Sequence, residues 1–313
     1  MQTHFTQGVL FALCAAALNA TIGVLSKVLM NHGFTASSVA LVKTVLGCLL
    51  LSALLLFLKR QPASRARWWQ AAICAFLGIF VLFHFETAAY RQYAAAGVVV
   101  VLMASAAVSA IVLGRVFLQE AITANATVGA ALAIVGIVVI FGADLRQGFT
   151  LQGAALAAIA GGGYGAFSVA MKRMGVSGGL HLTRQLLFFG SLYLLMPAAA
   201  DGFALGTLSW LTVAALLALA ALPTILGFFC TTKAIEYLKP SQVQALELTE
   251  PLFAALLAFV ALHEVPRNSL YAGAVFIVAG LCFSNELIRL GRKAPAQQAA
   301  TETIDSRAVC ADK

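Results

Sequence analysis

Phe-Glu-Thr-Ala-Ala-Tyr-Arg-Gln-Tyr at residues 85–93 returns 144 residues later as Phe-Cys-Thr-Thr-Lys-Ala-Ile-Glu-Tyr at 229–237. Phe85, Thr87 and Tyr93 keep register with Phe229, Thr231 and Tyr237. The same displacement lays Glu120, Gly129 and Gly136 on Glu264, Gly273 and Gly280. The first helix expected in each half aligns at a displacement of 145, pairing Gly8 with Gly153 and Lys27 with Lys172. Identities held in register over so long a stretch mark a doubled structural unit.

Composition sets the solvent in which this unit folds. Of 313 residues, 61% are hydrophobic and 10% charged, with mean hydropathy +0.94, whereas roughly a quarter of a soluble domain is charged. The chain therefore reads as an integral membrane protein. Crossing about 30 Å of hydrocarbon takes roughly 20 apolar residues in a helix, and helices are the way runs of this length satisfy their backbone in lipid. Ten runs qualify, near 8–30, 36–58, 68–89, 94–114, 122–142, 150–172, 182–200, 208–232, 241–262 and 268–290. The expected fold is all-α, with a first repeat over 1–146, a second over 147–290, and a polar tail at 291–313 too poor in apolar residues to fold.

Five helices per repeat is an odd number, so the second repeat enters the bilayer from the opposite side. Inverted repeats of this kind characterise secondary transporters, whose solute site lies near the midplane between the halves. Orientation follows from the loops. One side collects Lys59, Arg60, Arg65, Arg67, Arg115, Lys172, Arg173, Lys233, Lys239, Arg289, Arg292 and Lys293; the other has Lys27, Arg91, Arg146 and Arg267. By the positive-inside rule both termini are cytoplasmic. The net charge of +8 is thus accounted for at span ends, without a nucleic-acid surface.

Other chemistries find no purchase in the sequence. The N-terminus lacks a basic region and cleavage pattern, so the first apolar run is read as a retained span. Cys14, Cys48, Cys74, Cys230 and Cys282 stand singly within spans and read as packing residues. Cys310 sits in Cys-Ala-Asp-Lys, where an aspartate replaces the aliphatic residue that prenylation needs. No phosphate-cradling Gly-rich loop with Lys-Ser or Lys-Thr is present, which argues against ATP. No His-Glu-x-x-His is found, and Asp144 and Asp201 fall at loops. No catalytic residue, metal site or cofactor is expected. The partners are a small-molecule solute and the lipid bilayer, and the sequence is compatible with a monomer.

The ordered, duplicated motifs resemble the drug/metabolite transporter superfamily, specifically EamA-like ten-helix carriers. They are Ala-Ile-Glu-Tyr-Leu-Lys-Pro at 234–240, Glu250-Pro251 followed by an apolar run to His263-Glu264, and Gly273 with Gly280. A fainter copy runs through Ala-Tyr-Arg-Gln-Tyr-Ala-Ala-Ala at 89–96, Glu120, Gly129 and Gly136. Ala107 stands where Pro251 would align, so the bend which the family implies for the fourth span lacks its proline. The resemblance implies efflux of small solutes across a bacterial inner membrane, with amino acids, aromatic ones included, as the preferred class because the chain is also similar to amino-acid exporters of that group. Drugs, sugars and nucleotide sugars are the alternatives.

Several residues have physical roles legible from position. Glu120 and Glu264 precede spans, where a carboxylate suits the positive end of the following helix. The glycine pairs, seven apart on a helix face, let backbones approach in lipid. Pro223 and Pro251 interrupt spans eight and nine, as packing bends or as gating hinges.

Polar groups inside spans cost about 2.5–3.5 kcal/mol at the helix centre and are expected to face the interior. Lys43 in the second span has its apparent counterpart in Arg184 of the seventh, and the superfamily resemblance implies a basic residue there. Each either meets solute or snorkels. Glu247 and Glu250 share a helix face and either pair with a cation, carry protons, or hydrogen-bond around the bend at Pro251. His84, set among Phe80, Phe83 and Phe85 with Tyr90 and Tyr93 beyond, is the leading site candidate; the alternative is a hydrogen-bonded core histidine. Asn19 and Tyr164 align at the displacement of 145 and are expected to face a shared cavity. Gly161, Gly162, Gly163 and Gly165 leave either room for solute or a close helix contact. A carrier is the reading these residues support. An intramembrane enzyme, an inert scaffold or a channel would differ in having a reactive constellation, no flux, or flux without saturation.

Overall fold

The computed structural model describes residues 2–58, 66–92, 95–121, 123–141, 150–253, 256 and 268–284. Tyr93, His263, Glu264, Cys310, the tail at 291–313 and several of the loop cations, Lys59, Arg60, Arg65, Arg146, Arg267, Arg289, Arg292 and Lys293 among them, lie outside those residues, as does Asp144. Among the described residues the secondary structure is entirely helical.

The first apolar run holds two helices, α1 (Gln2–Asn19) and α2 (Ile22–Asn31). At the break the Thr21 hydroxyl donates to the Leu18 carbonyl at 2.8 Å, taking up a helix-end acceptor. The next run is α3 (Ala36–Phe57), capped by Thr35, whose hydroxyl accepts from the Ser38 amide. The third run is α4 (Trp68–Ala75), a π-helical segment at Phe76–Val81, and α5 (Leu82–Gln92). Then follow α6 (Ala95–Leu118), α7 (Ala124–Phe141), α8 (Leu151–Arg173) and α9 (Leu180–Ala200). The eighth run repeats the form of the third: α10 (Trp210–Leu219), a π-helical segment at Ala220–Gly227, and α11 (Phe228–Tyr237). The ninth begins as α12 (Pro240–Glu247), and α13 (Asn268–Ser284) occupies the tenth.

Among the described residues six helical stretches are long and apolar enough to cross a membrane: His4–Asn31, Ala36–Phe57, Trp68–Gln92, Val98–Leu118, Leu151–Arg173 and Trp210–Tyr237. Ala124–Val139 and Ala272–Phe283 are shorter apolar helices. Leu56, Phe57, Met196 and Trp210 stand largely exposed on the outer faces, as side chains that meet hydrocarbon do.

The two π-helical segments start at Phe76 and Ala220, separated by the same 144 residues that relate the sequence repeats. The glycine pairs show how equivalent helices meet. A Cβ on Gly136 would lie 2.6 Å from the Gly273 carbonyl oxygen, and one on Gly280 would lie 2.5 Å from that of Gly129. Residue 129 thus meets 280 and 136 meets 273, so α7 and α13 run antiparallel with backbones in contact. The same reciprocity recurs inside the bundle: α1 packs on α11 and the second π segment, as α8 packs on α5 and the first.

The glycines of α8 serve close contact. Cβ atoms on Gly161 and Gly165 would strike the Leu102 and Ala106 carbonyl oxygens of α6, and one on Gly163 would strike Val81. Gly162 has open space beside it. The prolines differ from each other. Pro223 sits inside a π-helical segment, whose wide turn accommodates its missing donor. In the ninth run α12 ends at Glu247, a turn covers 248–249, and the helix resumes at Glu250 with Pro251 in its first turn, where a missing N–H costs little. With Ala107 in place of a proline, α6 continues unbroken through 24 residues.

Glu120 is placed differently from its sequence reading. Its carboxylate accepts from the Ser241 hydroxyl at 3.2 Å, so it faces the N-terminus of α12 rather than that of the helix following it in the chain. Opposite it, Lys172 donates to the carbonyls of Ile235 and Glu236 at 3.0 and 3.1 Å, capping the end of α11. The first contact ties one repeat to the other, and the second closes a helix end within the second repeat.

Candidate functional site

Helix breaks and π turns converge on one enclosed space. It is lined from the first half by Asn19, at the break after α1, by Lys43 of α3, and by Phe83 and Glu86 of α5; from the second half come Tyr164, Pro223, Thr224, Phe228 and Glu250. Its volume is about 20 Å³, room for roughly one water molecule.

Phe83 and Phe228 follow the two π segments and meet edge to face across the cavity, with ring centroids 5.3 Å apart and planes at 85°. Such pairs contribute about 0.5–1.5 kcal/mol beyond their burial. Tyr164 is buried, and its hydroxyl shares a hydrogen bond of 3.0 Å with Thr231. Asn19 lies against Gly227, where a Cβ would come within 2.6 Å of the amide oxygen.

Charge enters from three side chains. Lys43 is 0% exposed, and its ammonium stands 3.8 Å over the Phe83 ring and 4.0 Å from the Glu86 carboxylate. Neither Lys43 Nζ nor Glu86 Oε2 has a hydrogen-bond partner. The Tyr90 side chain stands one turn beyond, beside the same carboxylate. Glu250 is buried on the opposite wall. Glu247, by contrast, is absorbed into a network. It accepts from Thr231 at 2.9 Å and from Gln244 at 3.5 Å, and Gln244 donates in turn to Ser168 at 2.9 Å.

Beyond Tyr90 a second, larger space of about 480 Å³ is lined by Lys27, Asn31, Phe34, Thr35, Tyr90 and Arg91. Tyr90 lines this second space and packs beside Gly23, where a Cβ would meet the phenol ring at an ordinary contact distance of 3.4 Å.

The residues singled out in the sequence are thus divided. Asn19, Lys43, Phe83, Tyr164, Pro223 and Glu250 come together. His84 and Phe80 do not line the cavity: their rings stack at 5.7 Å on another face of the third run, toward Phe76 and Tyr193 of α9. His84 Nδ1 has no hydrogen-bond partner. Arg184 is exposed on α9 and is no structural counterpart of Lys43; the residue 144 beyond Lys43 is Leu187, fully buried. Glu86, Phe228, Thr224 and Tyr90 had not been singled out for this site. Glu86 carried a usable signal, a carboxylate within an apolar run, but it stands close to the expected end of that run at 89, where it reads as interfacial. Among the described residues no cluster of His, Cys, Asp and Glu is set to hold a metal ion.

Comparison with known proteins bears on this arrangement. The sequence matches the EamA-like transporter family twice, over residues 6–142 and 151–285. It is 30% identical over 203 residues to a protein of Streptantibioticus cattleyicolor described as a "probable terminal-alkyne amino-acid exporter", the match covering 63% of this chain and 66% of that one, just under two thirds of its length. A solved crystal structure superposes with a TM-score of 0.70 at 21% identity, covering 90% of this chain and 97% of the other, which is a likeness of fold.

Proposed function

We infer, because this chain belongs to the EamA-like transporter family, that it is a multi-pass membrane carrier exporting small organic solutes, amino acids foremost, by alternating access. It is a transporter rather than an enzyme. Ten spans, as inverted repeats over 1–146 and 147–290 with a tail at 291–313, lie in a bacterial inner membrane with both termini cytoplasmic. The antiparallel contact of α7 with α13 supports the inversion, since an axis in the membrane plane turns equivalent helices end for end. A single copy contains the whole cavity.

The observation that carries the reading is the cavity between the halves, where aromatic rings surround an ammonium and two carboxyls contributed from both repeats. Buried ionisable groups in spans mark solute pathways, and rings suit the apolar part of a solute. The amino-acid class draws further support from the exporter it resembles.

Purified protein in liposomes, tested against labelled amino acids, sugars and drugs, decides among substrate classes. Saturable uptake of amino acids with counterflow is expected. Saturable flux of a sugar or drug alone replaces the substrate class, unsaturable flux replaces the carrier by a channel, and no flux from any class leaves a scaffold.

A further inference from the structure

We propose that Lys43, Glu86 and Glu250 form a recognition site for zwitterions: the solute carboxylate binds Lys43 while its ammonium binds the two carboxyls. This rests on the reading of the cavity as the solute site. The argument begins from what the charges lack. Lys43 Nζ carries three donors and makes no hydrogen bond, although it is fully buried. Glu86 Oε2 is equally without a partner. At 4.0 Å the two stand apart, beyond the roughly 2.7–2.9 Å of a charge-assisted hydrogen bond. A structural ion pair under lipid closes to that distance, because each orphaned charge is costly there. Here each keeps capacity free on the wall of the same cavity.

The complement of that wall is a solute with one carboxylate and one ammonium a few ångströms apart. A monoanion would satisfy Lys43 and leave two carboxyls unanswered; a monocation would do the reverse. The apolar remainder of the solute meets Phe83, Phe228 and Tyr164, whose rings accept aliphatic and aromatic side chains alike. Glu247 is outside the set, since Thr231 and Gln244 already occupy its oxygens.

The test is competition of counterflow in proteoliposomes with phenylalanine, N-acetylphenylalanine, which keeps only the negative charge, and phenylalaninamide, which keeps only the positive one. Wild-type protein is expected to prefer phenylalanine by about tenfold or more over either, the discrimination a charged hydrogen bond supplies. E86Q should lose most of its preference over the N-acetyl compound and keep that over the amide. K43Q should show the opposite selectivity. If either single variant fails to accumulate, K43Q/E86Q, which leaves no lone charge from the pair, should lose both preferences together. Phenylalanine flux with preferences untouched in these variants overturns the zwitterion site and leaves the carrier standing; wild-type protein that moves no amino acid removes both.

Discussion

Alanine at Gly136, at Gly280, and at both positions tests the antiparallel contact on which the doubled architecture depends. The Gly136 Cβ would sit 2.6 Å from a backbone oxygen, and the Gly280 Cβ 2.5 Å, where ordinary contact begins at 3.4 Å. Each alanine therefore demands about 0.8–0.9 Å of separation between α7 and α13. The obstructing atoms are backbone, so no side-chain rotation relieves them. Overpacking of this kind costs about 1–3 kcal/mol, against which alanine returns up to about 1 kcal/mol of helix propensity. A net loss of about 1–2 kcal/mol per variant follows. The two contacts lie about 10 Å apart along one helix pair, so a rigid shift that relieves one relieves the other. The double variant should fall short of the summed losses by about 1 kcal/mol, within the range of coupled sites. Gly162→Ala, with open space beside it, is the control and should be neutral or stabilising. Reversible unfolding in mixed micelles measures all four. Additive losses, or alanines tolerated at 136 and 280 as at 162, would refute the crossing.

Three further outcomes follow from the structure. Phe83→Ala removes the ring beneath the Lys43 ammonium and facing Phe228, and should raise KM for transport about tenfold. His84→Ala, off the cavity, should leave KM within about twofold by the same reasoning; a KM shift equal to that of Phe83→Ala would extend the site around the third run. Glu120, outside the spans, has its carboxyl raised above the ordinary 4.5 by burial, opposed by the Ser241 hydrogen bond and by Lys239 and Lys172. An acid raised in the folded state favours folding when protonated. That contribution is fully present below its ordinary value and is lost as pH climbs through the raised one. Thermal melts across this window should show wild-type protein losing stability with rising pH relative to E120Q, and parallel profiles would remove Glu120 as the cause.

How far the sequence carries depends on which property each conclusion needed. Apolar run length located the helices because lipid admits few alternatives, and the two glycine pairs were legible as contacts because small residues at heptad spacing have little other use in a span. The closeness of Gly161 and Gly165 to α6, against an equally available ligand space, became decidable only with the partner helix in place. The π segments at Phe76 and Ala220 had no composition of their own; they are a backbone response to packing, visible once the fold is formed. His84 stood out by its chemistry among phenylalanines, yet one residue along a helix is a turn of 100°, and that turn set Phe83 toward the cavity and His84 away. Lys43 was found by its cost in lipid. Arg184 passed the same test and proved exposed, since near a span end the cost can be avoided by reaching outward.

The repeat also explains what it does not supply. The scaffold is symmetric where backbone geometry matters, in the paired π segments and the paired glycines. The polar cavity wall is not. Leu187 stands 144 residues beyond Lys43, Cys230 beyond Glu86, and Ala106 precedes Glu250 by the same step. A symmetric set of these charges would place two lysines or four carboxyls around one small space, and like charges buried together oppose one another strongly. Neutral partners at each equivalent position remove that repulsion while both halves keep the same helical frame. A solute carrying opposite charges at two ends is itself asymmetric, so the wall that binds it has to differ between halves even while the halves that move around it are alike.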